Sequence, residues 1–146
     1  MIEVRFFKTK GLVGWLVRWF TWSKWNHVDI NIDGTYYAAQ EGKGVFRNDG
    51  KVENVLDMDT IQILDTARNK QHLETFLKYQ LDKEYDWHGI LGFILRKGID
   101  NKDKWFCSEL IATALNKIGY QFPEPFKVSP GSLFKMLDAS NNHLYK

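Results

Sequence analysis

Asn26-His27-Val28-Asp29-Ile30-Asn31-Ile32-Asp33-Gly34-Thr35-Tyr36-Tyr37-Ala38-Ala39-Gln40 alternates polar with apolar side chains on both sides of an Asp-Gly pair. Period-two alternation marks a half-buried strand, and Asp-Gly tolerates the two positive φ angles of a tight hairpin turn. The stretch predicts strands over residues 26–32 and 35–40. Val28, Ile30 and Ile32 then share one face of the sheet, and His27, Asp29 and Asn31 share the other. A two-residue loop also sets the register, pairing Ile32 with Thr35, Asn31 with Tyr36, Asp29 with Ala38 and His27 with Gln40. Residues paired in this way have Cβ atoms about 4.5–5.5 Å apart on a common face.

Outward from the hairpin, residues 3–8 alternate like a strand, and residues 11–21 carry Leu12, Trp15, Leu16, Trp19 and Phe20 at helical spacing with Arg18 on the polar side. That apolar stripe predicts a helix packed under the sheet, with Trp22 and Trp25 outside the stripe as the aromatics that face a cleft or a membrane. Residues 43–47 and 60–64 read as further strands, separated by the Asn48-Asp49-Gly50 turn and a mixed stretch through Asp57. Helical spacing returns at Leu73, Phe76, Leu77 and Leu81 (residues 70–81), and Asp86 is placed to cap a helix over residues 86–95. Leu110, Ile111, Ala114, Leu115 and Ile118 form one more apolar face, with Gly119 as its left-handed stop. Ser129-Pro130 opens a last short helix through Leu137. Strands first and helices second predict an α+β fold, a small antiparallel sheet packed against helices.

The 146 residues suit a single domain over 1–146. A net charge of +2, with the signs interspersed and no basic block, argues against a nucleic-acid partner. The N-terminus lacks the pattern of a secretory signal, and the apolar run over residues 12–22 is about half the length a membrane span requires. A cytoplasmic protein is expected, with peripheral membrane contact through residues 12–25 left open. One cysteine permits no internal disulfide, and no cluster has metal-ligand spacing, so neither a metal nor a cofactor is expected.

That cysteine, Cys107, stands in Lys104-Trp105-Phe106-Cys107-Ser108-Glu109-Leu110, where a polar loop gives way to a helix. A helix N-terminus favours a thiolate through its free N–H groups and the positive end of its dipole; Glu109, two residues on, opposes it unless its side chain turns toward the helix end. Of the four histidines only His27 lies in a strand with apolar flanks, which makes it the candidate base. His72, His88 and His143 read as solvent-facing. Gln40, opposite His27, is the candidate orienting group, with Asp29 or Glu41 as substitutes if the register slips. Trp25, Tyr85 and Trp105 are candidates to line the substrate cleft, each equally readable as a core aromatic. A lone cysteine is also often an inert core residue.

Gly11-Leu12-Val13-Gly14-Trp15, Trp25-Asn26-His27-Val28, Tyr85-Asp86-Trp87-His88-Gly89-Ile90, Trp105-Phe106-Cys107-Ser108-Glu109-Leu110 and Ser129-Pro130-Gly131-Ser132-Leu133 together resemble one family. It is the circularly permuted branch of the NlpC-type papain-like cysteine hydrolases, related to the lecithin retinol acyltransferase group. The resemblance runs from about residue 5 to residue 137 and carries the permuted order, histidine strand before cysteine helix. It implies Cys107 as nucleophile, His27 as base and a polar residue of the next strand as orienter, acting on a small peptide, amide or acyl-ester substrate. The stretch Tyr36-Tyr37-Ala38-Ala39-Gln40 departs from the acid or histidine of many relatives, and Asp29 stands where relatives more often have a small residue. A non-catalytic lipid- or peptide-binding module of the same fold is the competing expectation.

Overall fold

The computed structural model describes residues 1–86 and 103–144. Five strands form one antiparallel sheet: β1 (Ile2–Thr9), β2 (His27–Ile32), β3 (Thr35–Gln40), β4 (Gly44–Asn48) and β5 (Val55–Ile63), in the order β4-β3-β2-β1-β5. Four helices accompany it among the described residues: α1 (Leu12–Thr21), α2 (Ala67–Gln80), α3 (Cys107–Asn116) and α4 (Pro130–Leu144). Two short parallel strands, β6 (Glu84–Tyr85) and β7 (Lys104–Trp105), lead into α3. The fold is α+β, as the order of patterns predicts. Most of the helix expected over residues 86–95 falls outside the described residues.

The hairpin turn has positive φ at both Asp33 (49°) and Gly34 (91°), the geometry that Asp-Gly selects. Its register is Ile32 with Thr35, Asn31 with Tyr36 and Ile30 with Tyr37. The ladder stops there. Ala38, Ala39 and Gln40 continue only on the β4 side of β3, and the expected Asp29–Ala38 and His27–Gln40 pairs are not made. β5 begins at Val55, five residues before the expected start. Its first half is exposed on both faces, so the pairing with β1, rather than burial, makes it a strand.

The two faces of the sheet differ in kind. On one, Ile2, Val4, Phe6, Val28, Ile30, Ile32, Ile61 and Ile63 join a single apolar core with Leu73 and Leu77 of α2, Leu110, Ile111 and Leu115 of α3, and Leu133 and Leu137 of α4. Each such side chain contributes about 1.5–3 kcal/mol by leaving water. The other face is polar and tightly paired. Arg5 donates from Nε to Asp29 Oδ1 at 2.8 Å and forms an ion pair with Oδ2 at 2.5 Å, while its guanidinium lies 4.0 Å over the Tyr36 ring and bonds the Gly50 carbonyl at 3.1 Å.

α1 departs from expectation. Among its described side chains Val17 enters the core, while Leu12, Trp15 and Trp19 are exposed. Gly14 rests against Asn26, and a Cβ there would lie 2.0 Å from Asn26 Nδ2. Asn26 is itself locked onto β1, accepting from Thr9 N–H at 2.8 Å and donating to Thr9 Oγ1 at 2.8 Å.

Candidate active site

α3 starts at Cys107 because the extended Phe106 ends β7 and Glu109 reaches back to accept the Phe106 N–H at 3.3 Å. The Glu109 carboxylate therefore turns to the helix end, which answers the question its position raises. Ser108 is buried and donates to the Val128 carbonyl at 2.5 Å, so its hydroxyl is engaged in holding α3. The helix ends as predicted, with Gly119 at φ 106° and Tyr120 N–H bonded to the Leu115 carbonyl at 3.2 Å.

The backbone N–H groups of Val28, Ser108 and Cys107 itself act to hold the Cys107 pKa down. In the register of Ile32–Thr35 and Ile30–Tyr37, the next N–H facing β3 belongs to Val28, beyond the end of the β2–β3 ladder. Such N–H groups favour a thiolate, but the thiol is 1% exposed and burial prevails, pushing its pKa up to about 12 with the Asp29 charge adding to the effect.

His27 begins β2 on the polar face. Its ring lies 5.8 Å from that of Phe7, its partner across the β1–β2 ladder. Burial lowers its pKa to about 4, and the Arg5 cation adds to the fall. Asp29 is pushed up by burial and held down by Arg5; the two-point contact keeps it an ion pair. Among the described residues no hydrogen bond joins His27 to Cys107 or to Gln40. The sulfur and the imidazole border the same strand at consecutive residues, and in the resting state both are neutral.

A groove of about 590 Å³ opens beside the imidazole, lined by His27, Gln40, Glu41, Tyr85 and Asn26 and by Gly11, Leu12 and Leu16 at the start of α1; Cys107 lies behind this lining rather than in it. No protein-family model matches the chain, and no curated protein sequence matches it. Of the sequence candidates, His27, Gln40 and Tyr85 share this wall, with Glu41 beside them. Tyr85 also lies close enough to Cys107 for a charge on sulfur to raise its phenol pKa.

The other two aromatics are elsewhere. Trp25 is buried against Phe6 and Phe134, with ring centroids 6.4 and 5.5 Å away, because the chain turns into β2 there and needs an apolar plug. Trp105 is buried beside α2, donating from Nε1 to Gln80 Oε1 at 3.1 Å. Asn26 and the Val28 N–H escape sequence reasoning. The first shows only as a polar residue before the strand, and the second is a backbone group that no residue type announces. Arg5 supplies the account that Asp29 lacks in sequence, since the two are direct partners across the β1–β2 ladder.

Proposed function

We propose that the chain is a cysteine hydrolase or acyltransferase that opens an amide or ester bond through a thioester on Cys107, with His27 as base. What supports this reading is the place of Cys107 at the start of α3, a helix packed on β2, whose first residue His27 lines an open groove. Since thiol and imidazole rest neutral, the proton moves as the bond forms. His27 takes the Cys107 proton while sulfur attacks the carbonyl carbon, and then gives that proton to the departing amine or alcohol. Water or another acceptor then attacks the thioester, His27 taking its proton, and the acyl group leaves with the thiol restored.

In this reading the Cys107 N–H, at the start of α3, receives the developing oxyanion. Hydrogen bonds of this kind are often made only in the substrate complex. Tyr85 lines the groove and lies near enough to Cys107 for a charge on sulfur to be felt at its phenol. A reducing, cytoplasmic setting keeps the single thiol available.

The burial of Cys107 favours a second reading, a non-catalytic module that holds a lipid or peptide in the same groove. Incubation with an activated acyl ester, followed by intact-mass measurement, separates the two. The hydrolase acquires the acyl mass on wild type and none on Cys107→Ser, and His27→Gln slows acylation by about 10²-fold or more. Ligand binding with no adduct and no turnover assigns the groove to the module.

A further inference from the structure

α1 turns its largest apolar side chains to water. Leu12, Trp15, Trp19 and Trp22 are 72, 50, 58 and 92% exposed. At about 100° per residue they fall within an arc of about 80°. Trp15 and Trp19 stack there with ring centroids 5.8 Å apart and planes 6° apart. Trp22 closes the helix at φ 50°, a left-handed conformation uncommon for a bulky residue, and its side chain is left in solvent. Grouped aromatic exposure of this kind marks an interaction surface.

The charge of the segment that carries it is one-sided, although Glu41 and Glu53 share the groove with Leu12. Between Glu3 and Asp29 the sequence holds Arg5, Lys8, Lys10, Arg18 and Lys24 and no acidic residue. Arg5 is committed to Asp29 and Lys24 to Asp57. Arg18 borders the aromatic arc, donating to the Thr9 carbonyl at 2.6 Å, and Lys10 precedes the helix in an exposed position. Tryptophan at the acyl boundary with cations at the phosphates is the arrangement that an anionic bilayer surface selects. A protein partner fits less well, because protein interfaces are depleted in lysine. The ten residues of α1 rise about 15 Å, half the hydrocarbon thickness, so the helix lies on a bilayer rather than across it.

We propose that Leu12, Trp15, Trp19 and Trp22 dock the protein on anionic membrane surfaces, whatever chemistry the groove performs. Gly11, Leu12 and Leu16 wall the same groove as His27 and Tyr85, so docking through α1 brings the groove mouth to the bilayer.

Co-sedimentation tests the docking, using the full chain as Cys107→Ser so that no chemistry enters, with vesicles of phosphatidylcholine alone or mixed equally with phosphatidylglycerol. The mixed vesicles should bind about tenfold tighter or more. A triple variant (Trp15→Ser, Trp19→Ser, Trp22→Ser) should lose about tenfold or more of that affinity while its thermal midpoint holds. Failure of the parent to bind, equal binding by the triple variant, or a solution dimer that the triple variant abolishes would overturn the proposal.

Discussion

α1 and α3 are both ten residues long and both carry an apolar stripe, yet they use it in opposite ways. The side chains of α3 that face the sheet are Cys107, Leu110, Ile111 and Ala114, slim enough to lie across β2 and β3, and all are buried. Those of α1 are dominated by indoles, and the apolar face of the sheet is already covered by α2, α3 and α4. α1 contributes Val17 to the core and leaves Trp15 and Trp19 outside. A 3.6-residue period locates a face; the space left by competing elements decides what the face meets. The two helices also approach the site differently, α3 setting a sulfur from within and α1 forming the wall from without.

The largest effect expected of this division is on chemistry. Cys107→Ser should lower turnover by about 10⁴-fold or more, because serine under a neutral imidazole lacks the nucleophilicity of sulfur. Its fold should survive, since serine is nearly isosteric with cysteine and its hydroxyl can donate within the helix; circular dichroism and a thermal melt check this. Retained turnover would remove α3 from the mechanism.

Stability should divide the helices next. Leu110→Ala, in the core beneath β2, should cost about 2–5 kcal/mol in urea unfolding. Trp22→Ala, on the exposed end of α1, should change stability by no more than about 0.5 kcal/mol. Equal costs would mean that the α1 indoles are packed and the contrast between the helices is false. Gly14→Ala sharpens it further. A methyl placed 2.0 Å from Asn26 Nδ2 must displace the Asn26–Thr9 bridge against which α1 rests, for about 1–3 kcal/mol. The same substitution at a glycine that tolerated it would stabilise a helix.

Much of this was readable in the chain because local chemistry carried it. Asp33-Gly34 dictated the turn and three pairs of the register, Cys107 announced a helix start after Trp105-Phe106, and Gly119 its end. What stayed hidden depended on long-range placement. Arg5 and Asp29 are 24 residues apart and meet only because β1 and β2 pair. Val55 becomes strand only through β1, and Trp25 plugs the core only because α4 brings Phe134 to it. The site was legible as residues but not as a state. Helix-end position argues for a thiolate, whereas burial, a property summed over the whole fold, makes the thiol neutral.

That neutral state has a pH signature, the smallest effect expected. Folding holds His27 neutral down to about pH 4, whereas the unfolded chain protonates it near 6.5. Between those values the unfolded state binds more protons, so stability falls as pH drops from about 6.5 toward 4 and the His27 contribution levels off below. The full shift corresponds to about 3 kcal/mol, and because part of His27 is open to the groove, on the order of 1–2 kcal/mol should remain. Asp29, whose folded pKa is raised, works in the opposite direction at the acid end, so His27 must be isolated by comparison with His27→Gln. Urea midpoints from pH 7 to 4 should drop more steeply in wild type than in His27→Gln. Parallel profiles would mean that the imidazole is solvated and free to charge. It would then rest as a cation, unable to accept the sulfur proton below pH 6.5, and the acid limb of any turnover would lie near 6.5 rather than near 4.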